Sequence, residues 1–285
     1  MNPPPTPNAP LSRLTASDGV TLAFRAQGLA PGRPVLALVH SLAMDHRFWD
    51  PMVHALAGRC AVVALDARGH GGSGRAPSPL TAARMAQDLR EVIDHLGLPP
   101  VVVGGASMGG CVALQFAADH PTRTLGLALL DTTAWYGPTA AADWEQRACK
   151  ARDGGLASLT AFQQTRWFSD AFRQARPDVV QACMDCFLAN DLEGYMAACR
   201  MLGAFDGRSL LARIRVPTLV LVGEEDQAAP VAMARALHAG ITGSTLEVVP
   251  ATRHLTPLEV PGLVADRLAD LCVKAVSAPR GTPRY

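Results

Sequence analysis

Six short apolar runs, separated by longer stretches with helical periodicity, constrain the fold of this chain more than any other feature of its sequence. Near-continuous Val and Leu runs are typical of strands buried on both faces, and the helical stretches between them suit crossover connections. The pattern therefore predicts an α/β fold with a mainly parallel sheet flanked by helices. The runs occupy residues 35–40, 61–65, 101–105, 125–130, 218–222 and 245–249.

The alternation is preceded by a different pattern at the start of the chain. Two short apolar runs, at residues 11–16 and 20–26, flank the turn signal Ser17-Asp18-Gly19. Such a pair predicts a β-hairpin. With the six later runs, it gives a sheet of the eight-stranded type.

The alternation breaks once, between residue 130 and Pro217. Only amphipathic stretches, at 140–152, 177–190 and 192–203, occupy this interval. We expect an inserted helical cap, because insertions of this size usually cover an active site. The predicted organisation is a core of residues 11–132 and 213–277, a cap of residues 133–212, and disordered tails at 1–10 and 278–285.

Charge and hydropathy exclude several classes of partner. The formal net charge is +1, and basic residues are interleaved with acidic ones without a basic run, so nucleic acid is not expected to bind. No stretch approaches the roughly 18 apolar residues needed to cross a bilayer, and the start of the chain is rich in proline where a secretory signal would be apolar. We expect a cytoplasmic protein without a membrane partner; a homodimer is one option that the sequence leaves open.

Seven cysteines are scattered along the chain without the paired framework of secreted proteins. We interpret them as reduced thiols of the core. Cys183 and Cys186 form a C-x-x-C pair in a helical stretch, but no second ligand pair for zinc accompanies them. We therefore expect neither a metal nor a redox site there.

The strongest chemical motif is Gly105-Ala106-Ser107-Met108-Gly109. It directly follows the predicted strand 101–105 and leads into a helical stretch. In such a strand-to-helix elbow, a serine is held in a strained conformation, and the turn closes only with small residues on either side. The placement predicts that Ser107 is a nucleophile, whereas the motif alone would also fit a glycine-rich turn with an exposed serine.

A serine nucleophile needs a general base that is oriented by a carboxylate. Asp226 and His254 follow the last two predicted strands, in the order serine, acid, histidine. Because the carboxyl ends of parallel strands meet at one edge of the sheet, these side chains are expected to converge. We assign Asp226 as the orienting acid and His254 as the base.

Alternatives exist for both assignments. Glu224 and Glu225 are neighbours of Asp226, and Asp131 ends the preceding strand, where some proteins of this architecture carry the acid. His40 and His70 also stand at strand ends, but both precede the serine, and we expect them to shape loops.

The negative oxygen of a tetrahedral intermediate needs two preorganised N–H donors. One is expected from the backbone of Met108, directly after the nucleophile. The other is expected from Leu42, in the loop after the strand 35–39.

A second glycine motif, at residues 69–74, fits the dinucleotide-binding pattern G-x-G-x-x-G after a strand. The following Arg75-Ala76-Pro77-Ser78-Pro79 cannot open a helix at once, so no helix N-terminus is available for a pyrophosphate. We expect no nucleotide cofactor at this loop.

From about Leu14 to Leu271 the chain resembles the α/β hydrolases, whose loop after the fourth strand is similar to residues 66–73. Within that superfamily it resembles 3-oxoadipate enol-lactonases. The segments that carry this resemblance are His40-Ser41-Leu42 with Trp49, Ser107-Met108-Gly109-Gly110, Thr165-Arg166-Trp167-Phe168 and Gly194-Tyr195-Met196-Ala197-Ala198-Cys199.

The resemblance implies a substrate with a free carboxylate, for which Arg166 is the matching cation of the cap; Trp167, its neighbour in the motif, is also expected to contact the substrate. The chain departs from the family after its sixth strand. Members often have Asn-Thr-Ala-Ala followed by a basic residue, whereas here Asp131-Thr132-Thr133-Ala134 leads to Trp135. An indole at this position suggests a pocket adapted to a more apolar or aromatic acyl group, with Trp135 in contact with the substrate.

The sequence thus predicts a serine hydrolase that cleaves a small lactone or carboxylic ester through an acyl-enzyme, without a metal or organic cofactor. Two other functions fit the same residues: a C–C bond hydrolase that acts on products of aromatic-ring fission, and a non-catalytic relative that binds a small molecule.

Overall fold

An eight-stranded sheet forms the centre of the protein in a computed structural model, which describes residues 9–75 and 79–278. The strand order is β1-β2-β4-β3-β5-β6-β7-β8. The strands are β1 (Ser12–Thr15), β2 (Thr21–Gln27), β3 (Val35–Val39), β4 (Ala61–Leu65), β5 (Val101–Ala106), β6 (Thr124–Leu130), β7 (Thr218–Gly223) and β8 (Thr245–Val249).

The sheet is antiparallel only at its N-terminal edge. Strands β1 and β2 form a hairpin, β2 pairs antiparallel with β4, and every pair from β4 through β8 is parallel. Strands β3, β4, β5 and β7 are buried at every residue, as expected for apolar strands that are covered on both faces. The predicted α/β fold with its hairpin and six parallel strands is confirmed.

Helices connect the parallel strands and cover the sheet. Helices α3 and α12 both pack on β5 and β6, α2 packs on α3, and α1 packs on α12. No helix among the described residues is both long and apolar enough to span a membrane. The helices are α1 (Asp50–Leu56), α2 (Ala82–His95), α3 (Met108–Asp119), α4 (Ala140–Gly154), α5 (Thr160–Trp167), α6 (Asp170–Ala175), α7 (Pro177–Leu188), α8 (Leu192–Ala204), α9 (Arg208–Leu211), α10 (Val231–Gly240), α11 (Thr256–Glu259) and α12 (Pro261–Ser277).

Six of these helices, α4 to α9, lie between β6 and β7, and we call residues 133–212 the insertion. Helices α4, α7 and α8 begin at the first residues of the three predicted amphipathic stretches. The tails predicted at 1–10 and 278–285 fall, apart from residues 9, 10 and 278, outside the described residues.

Close backbone approach docks the insertion on the core at one point. A Cβ on Gly194, in the first turn of α8, would come within 2.6 Å of the carbonyl oxygen of Gly69, and a Cβ on Gly69 would come within 3.1 Å of the Cα of Gly194. Gly69 also has a φ of +79°, which side chains disfavour. Glycine at both positions therefore brings α8 against the loop after β4, next to the carboxyl ends of the strands.

Candidate active site

Ser107 stands at the sharp turn between β5 and α3. Its backbone has a φ of 52° and a ψ of −115°, a conformation that is costly for any residue with a side chain and that marks functional sites. A Cβ at Gly105 would overlap the carbonyl of Gly109, and a Cβ at Gly109 would overlap the carbonyl of Val39. The two glycines of the motif are thus required for the turn to close against β3.

Ser107, His254 and Asp226 form a continuous chain of hydrogen bonds. The Nε2 atom of His254 lies 2.8 Å from Oγ of Ser107, and its Nδ1 atom lies 2.8 Å from Oδ2 of Asp226. The other carboxylate oxygen accepts the N–H groups of Ala228 and Ala229, at 2.7 and 2.9 Å. All three side chains are at least 95% buried, so the arrangement is fixed by the protein and little affected by solvent.

The competing carboxylates occupy other places. Glu224 and Glu225 are exposed; the first accepts the N–H of Ala251, and the second lies 3.5 Å from the guanidinium of Arg253. Asp131 is fully buried and accepts the N–H and hydroxyl of Thr256 and the N–H of Gly223. Of the four candidates, Asp226 is the one that contacts the imidazole.

Asp131 is nevertheless an unusual group so near the site. Burial, and then the charge of Asp226, raise the pKa of the Asp131 carboxyl well above its usual range, against the opposing effect of the donors from Thr256 and Gly223. Its backbone φ of 49° adds a strained conformation at the end of β6. Its contacts link the end of β6 to the end of β7 and to the segment that follows His254.

The two backbone donors predicted for an oxyanion flank the nucleophile. Met108 follows Ser107 as the first residue of α3, and Leu42 lines the same cavity as Ser107. Within the described ranges 9–75 and 79–278, neither N–H group donates a hydrogen bond to a protein acceptor. Both remain available to a ligand oxygen.

The loop that carries Leu42 is shaped by His40, as predicted. The Nδ1 atom of His40 donates to the carbonyl of Ser41 at 2.8 Å, and its Nε2 atom accepts the N–H of Ala67 at 2.9 Å. Burial lowers the pKa of His40 and also lowers that of His70, to about 3, so both rings are neutral. The rings pack on one another with their centroids 5.3 Å apart.

A cavity of about 270 Å³ opens above Ser107 and His254. The core side of its wall includes Ser41 and Leu42, and the loop after Asp226 closes another side. The insertion supplies the rest of the wall, through Tyr136, Ala140, Asp143, Trp144, Arg147, Gln163, Arg166 and Trp167.

Two guanidinium groups line this cavity and have no carboxylate partner among the residues that the structure describes. Arg147 and Arg166 each lie 5.2 Å from the ring centre of Phe162, and neither forms an ion pair within the described part of the chain. Asp143 also lines the cavity, but it accepts the hydroxyl of Thr139 at 2.7 Å. Burial, and then the neighbouring Arg147 cation, lower the pKa of Arg166, so an anion placed between the two would relieve unfavourable electrostatics.

Of the three residues predicted to contact the substrate, Arg166 and Trp167 line the cavity, whereas Trp135 does not. Trp167 lines the cavity, and its carbonyl accepts the N–H of Leu255, next to His254. Trp135 lies outside the cavity, bridged to Asp206, with the guanidinium of Arg208 3.9 Å above its ring. The expectation of a substrate contact at Trp135 is therefore corrected: the chain turns after β6 so that this ring faces α9.

The neighbouring residue takes the place that was predicted for Trp135. Tyr136 lines the cavity and packs edge-on against Trp144, with the ring centres 5.2 Å apart. Burial raises the pKa of its hydroxyl well above the usual range, so it is a neutral hydrogen-bond donor in the cavity that Ser107 also lines. The sequence did not identify Tyr136, Arg147 or Gln163 as residues of the cavity wall. The signal nearest to any of them was the departure from the family pattern at Trp135, one residue before Tyr136.

The remaining sequence motifs lie outside this cavity. In the loop of residues 69–74, Gly72 donates its N–H to Asp66, and the next helix among the described residues begins only at Ala82. Asp45, His46 and Asp66 come within 4.8 Å of one another, but these carboxylates already accept donors from Arg47, His46 and Gly72.

The C-x-x-C pair lies on α7, with both thiols free. The Sγ atom of Cys186 lies 3.7 Å from the carbonyl oxygen of Ala43 and 3.5 Å from Asp45. Burial raises the pKa of both thiols to about 12, so they stay protonated and poor as metal ligands.

Known proteins resemble this chain in sequence and in fold. Residues 34–261 match the model of a family described as having the alpha/beta hydrolase fold. A curated relative, 3-oxoadipate enol-lactonase 2 of Acinetobacter baylyi, is 32% identical over 248 residues, which cover 87% of this chain and 91% of the relative.

Two solved structures are similar over nearly the whole chain. The enol-lactonase from Burkholderia xenovorans LB400 has a TM-score of 0.87 at 31% identity and covers 92% of this chain and 100% of its own. A thermophilic esterase from Thermogutta terrifontis, solved with malate bound, has a TM-score of 0.86 at 30% identity and covers 94% of this chain and 99% of its own.

Proposed function

The chain belongs to the α/β-hydrolase family, and on this premise we propose that it is a serine hydrolase that cleaves a small lactone or carboxylic ester bearing an anionic group. Its similarity to enol-lactonases and an esterase supports a hydrolase acting on lactones or esters. The observation that carries the finer proposal is the buried chain Ser107–His254–Asp226 beneath a cavity with two cations that have no carboxylate partner among the described residues.

In the first step, Ser107 attacks the carbonyl carbon of the substrate. The Oγ–C bond forms as Nε2 of His254 takes the hydroxyl proton, and the carbonyl electron pair moves to its oxygen. Asp226 holds Nδ1–H of the imidazole, which keeps Nε2 unprotonated before attack and stabilises the imidazolium afterwards.

The resulting oxyanion is bound by the N–H groups of Leu42 and Met108. Both donors are free of protein acceptors among the described residues, and a preorganised donor of this kind is worth about 10²–10³ in rate. When the intermediate collapses, the C–O bond to the leaving alcohol breaks, and that oxygen takes the proton from His254. In a lactone, the alcohol stays attached to the acyl chain.

Water then releases the acid. His254 takes one proton from the water as its oxygen bonds to the acyl carbon, and it returns that proton to Oγ of Ser107 as the ester bond breaks. Each turnover thus consumes one water and regenerates the hydroxyl, and no step needs a metal or an organic cofactor.

The cations of the insertion support an anionic substrate. A carboxylate between Arg147 and Arg166 would receive charge-assisted hydrogen bonds, which are stronger than neutral ones. The similar Thermogutta terrifontis esterase was solved with malate, a dicarboxylate. An acyl chain that carries a carboxylate away from the reacting carbonyl fits both the cavity and its charge.

The decisive experiment compares wild type with Ser107→Ala on p-nitrophenyl acetate and on a panel of lactones with and without a carboxylate. We expect Ser107→Ala to lose all but about one part in 10³ of the activity or less, and a fluorophosphonate to label wild type only. Ser158→Ala, at an exposed serine of the insertion, is the matched control. Equal rates for wild type and Ser107→Ala would refute the proposal.

Product analysis separates the rival activity that uses the same residues. A C–C bond hydrolase would cleave a vinylogous diketone from ring fission faster than any lactone, whereas our proposal requires faster cleavage of a lactone or ester. A non-catalytic binder would not react with the fluorophosphonate, whereas our proposal requires that Ser107 be labelled.

A further inference from the structure

Ala43, one residue beyond the proposed oxyanion donor Leu42, has a left-handed backbone. Its φ is 62°, although it carries a side chain and is fully buried. The N–H of Met44 donates to the carbonyl of Ser41 at 3.1 Å, so residues 41–44 form a β-turn with positive φ at the third position. That position favours glycine or asparagine, and alanine adopts it only where its surroundings hold it.

The support comes from the insertion, through Asn190, two residues after the end of α7. Its Nδ2 atom donates to the carbonyl of Ala43 at 2.8 Å and also approaches the carbonyls of Cys186 and Phe187, at 2.8 and 3.2 Å. Three acceptor oxygens around one atom fix which end of the side-chain amide points at the turn, because an oxygen there would be repelled. Asn190 thus connects α7 and the turn through a directed bond.

The turn controls the aim of the Leu42 N–H. In a trans peptide, the carbonyl of Ser41 and the N–H of Leu42 point in opposite directions. Met44 and Nδ1 of His40 both donate to that carbonyl, so the N–H of Leu42, a residue of the cavity wall, points away from these two donors. If Ala43 relaxed to a negative φ, the turn would change its type through rotation of the Leu42–Ala43 peptide, and the backbone of Leu42 would shift from its place at the cavity wall.

We propose that Asn190 is a positioning residue, whose amide holds the strained turn of residues 41–44 so that the N–H of Leu42 is aimed at the oxyanion formed above Ser107. The inference rests on the proposed function, since it assigns the oxyanion site to that reaction. It makes the insertion a support for the catalytic geometry in addition to a wall of the cavity.

The test measures kcat and KM for Asn190→Ala and Asn190→Asp, with Gln181→Ala as the control at an exposed position of α7. Loss of a donor costs about 10²–10³ in kcat, and a misaimed donor should cost about tenfold, with KM changed less than about twofold. Affinity for a boronic acid, which mimics the tetrahedral intermediate, should fall in parallel. Gln181→Ala should match wild type.

A second substitution separates positioning from helix docking. Glycine adopts a φ of 62° without strain, so Ala43→Gly added to Asn190→Ala should restore most of the lost kcat. A kcat unchanged by both Asn190 variants, a loss of kcat that Ala43→Gly does not restore, or a failure of both variants to fold would overturn the inference. If instead Ser107→Ala retained full activity, the proposed function itself would fail, and the two failures are therefore distinguishable.

Discussion

The Nε2 atom of His254 lies 2.8 Å from Oγ of Ser107, although 147 positions separate the two residues along the chain. The serine follows β5 and the histidine follows β8, and the parallel sheet brings the carboxyl ends of both strands to one edge. The topology of the sheet, and not closeness in sequence, assembles the site.

The first prediction concerns the acid. Asp226→Asn keeps the size of the side chain but offers a donor to Nδ1 of His254, which disfavours the required tautomer. We expect kcat/KM for ester hydrolysis to fall about 10⁴-fold. Glu224→Gln and Glu225→Gln, at the exposed neighbours, should stay within about twofold of wild type, as expected for weak surface interactions. A large loss in either, with Asp226→Asn near wild type, would reassign the acid.

The second prediction concerns the two guanidinium groups of the cavity. Arg166→Gln and Arg147→Gln should each raise KM for a carboxylate-bearing lactone about tenfold, since a hydrogen bond to a charged group is worth about 1.5–3 kcal/mol. Turnover of the uncharged p-nitrophenyl acetate should change little. Arg208→Gln, which removes an exposed arginine paired with Asp206, serves as the control, and an equal KM effect on charged and neutral substrates would argue against an anion site.

The third prediction uses the raised pKa of Asp131. Between the usual carboxyl pKa of about 3.9 and the higher folded value, the folded state holds a proton that the unfolded state has released, so stability contributed by this group falls as pH rises. Asp131→Asn removes the titration. We therefore expect the melting temperature of Asp131→Asn, relative to that of wild type, to rise as the pH is increased from 4 to 8. A difference between the two melting temperatures that stays constant over this range would contradict the raised pKa.

Much of the site could be predicted because strand ends are readable in the sequence. The apolar runs predicted the bounds of β5, β7 and β8 to within a residue. Because the carboxyl ends of parallel strands lie at the same edge of the sheet, polar residues that directly follow these strands must lie at that edge. Ser107, Asp226 and His254 all follow from this rule. The backbone donors of Leu42 and Met108 follow from position as well, since no side chain specifies them.

The wall of the cavity could not be predicted in the same way. Arg147 and Gln163 lie on helices of the insertion, and helical periodicity says which residues share a face but not which face another element covers. Gln163 illustrates the gap: it is 1% exposed, and its Oε1 atom is buried without a partner among the described residues. Nothing in its local sequence distinguishes it from a surface glutamine.

The final prediction tests the exchange of roles between Trp135 and Tyr136. Tyr136 lines the cavity together with Ser107, whereas Trp135 lies beneath Arg208. Tyr136→Phe should alter the relative kcat/KM across a set of acyl groups with and without a hydrogen-bond acceptor near the carbonyl, because it removes a neutral donor while keeping the ring. Trp135→Phe, its matched control, should leave those ratios unchanged and lower stability by less than about 1 kcal/mol, because phenylalanine weakens the cation–π contact without removing it. Altered ratios in Trp135→Phe alone would instead restore the indole as the residue that contacts the acyl group.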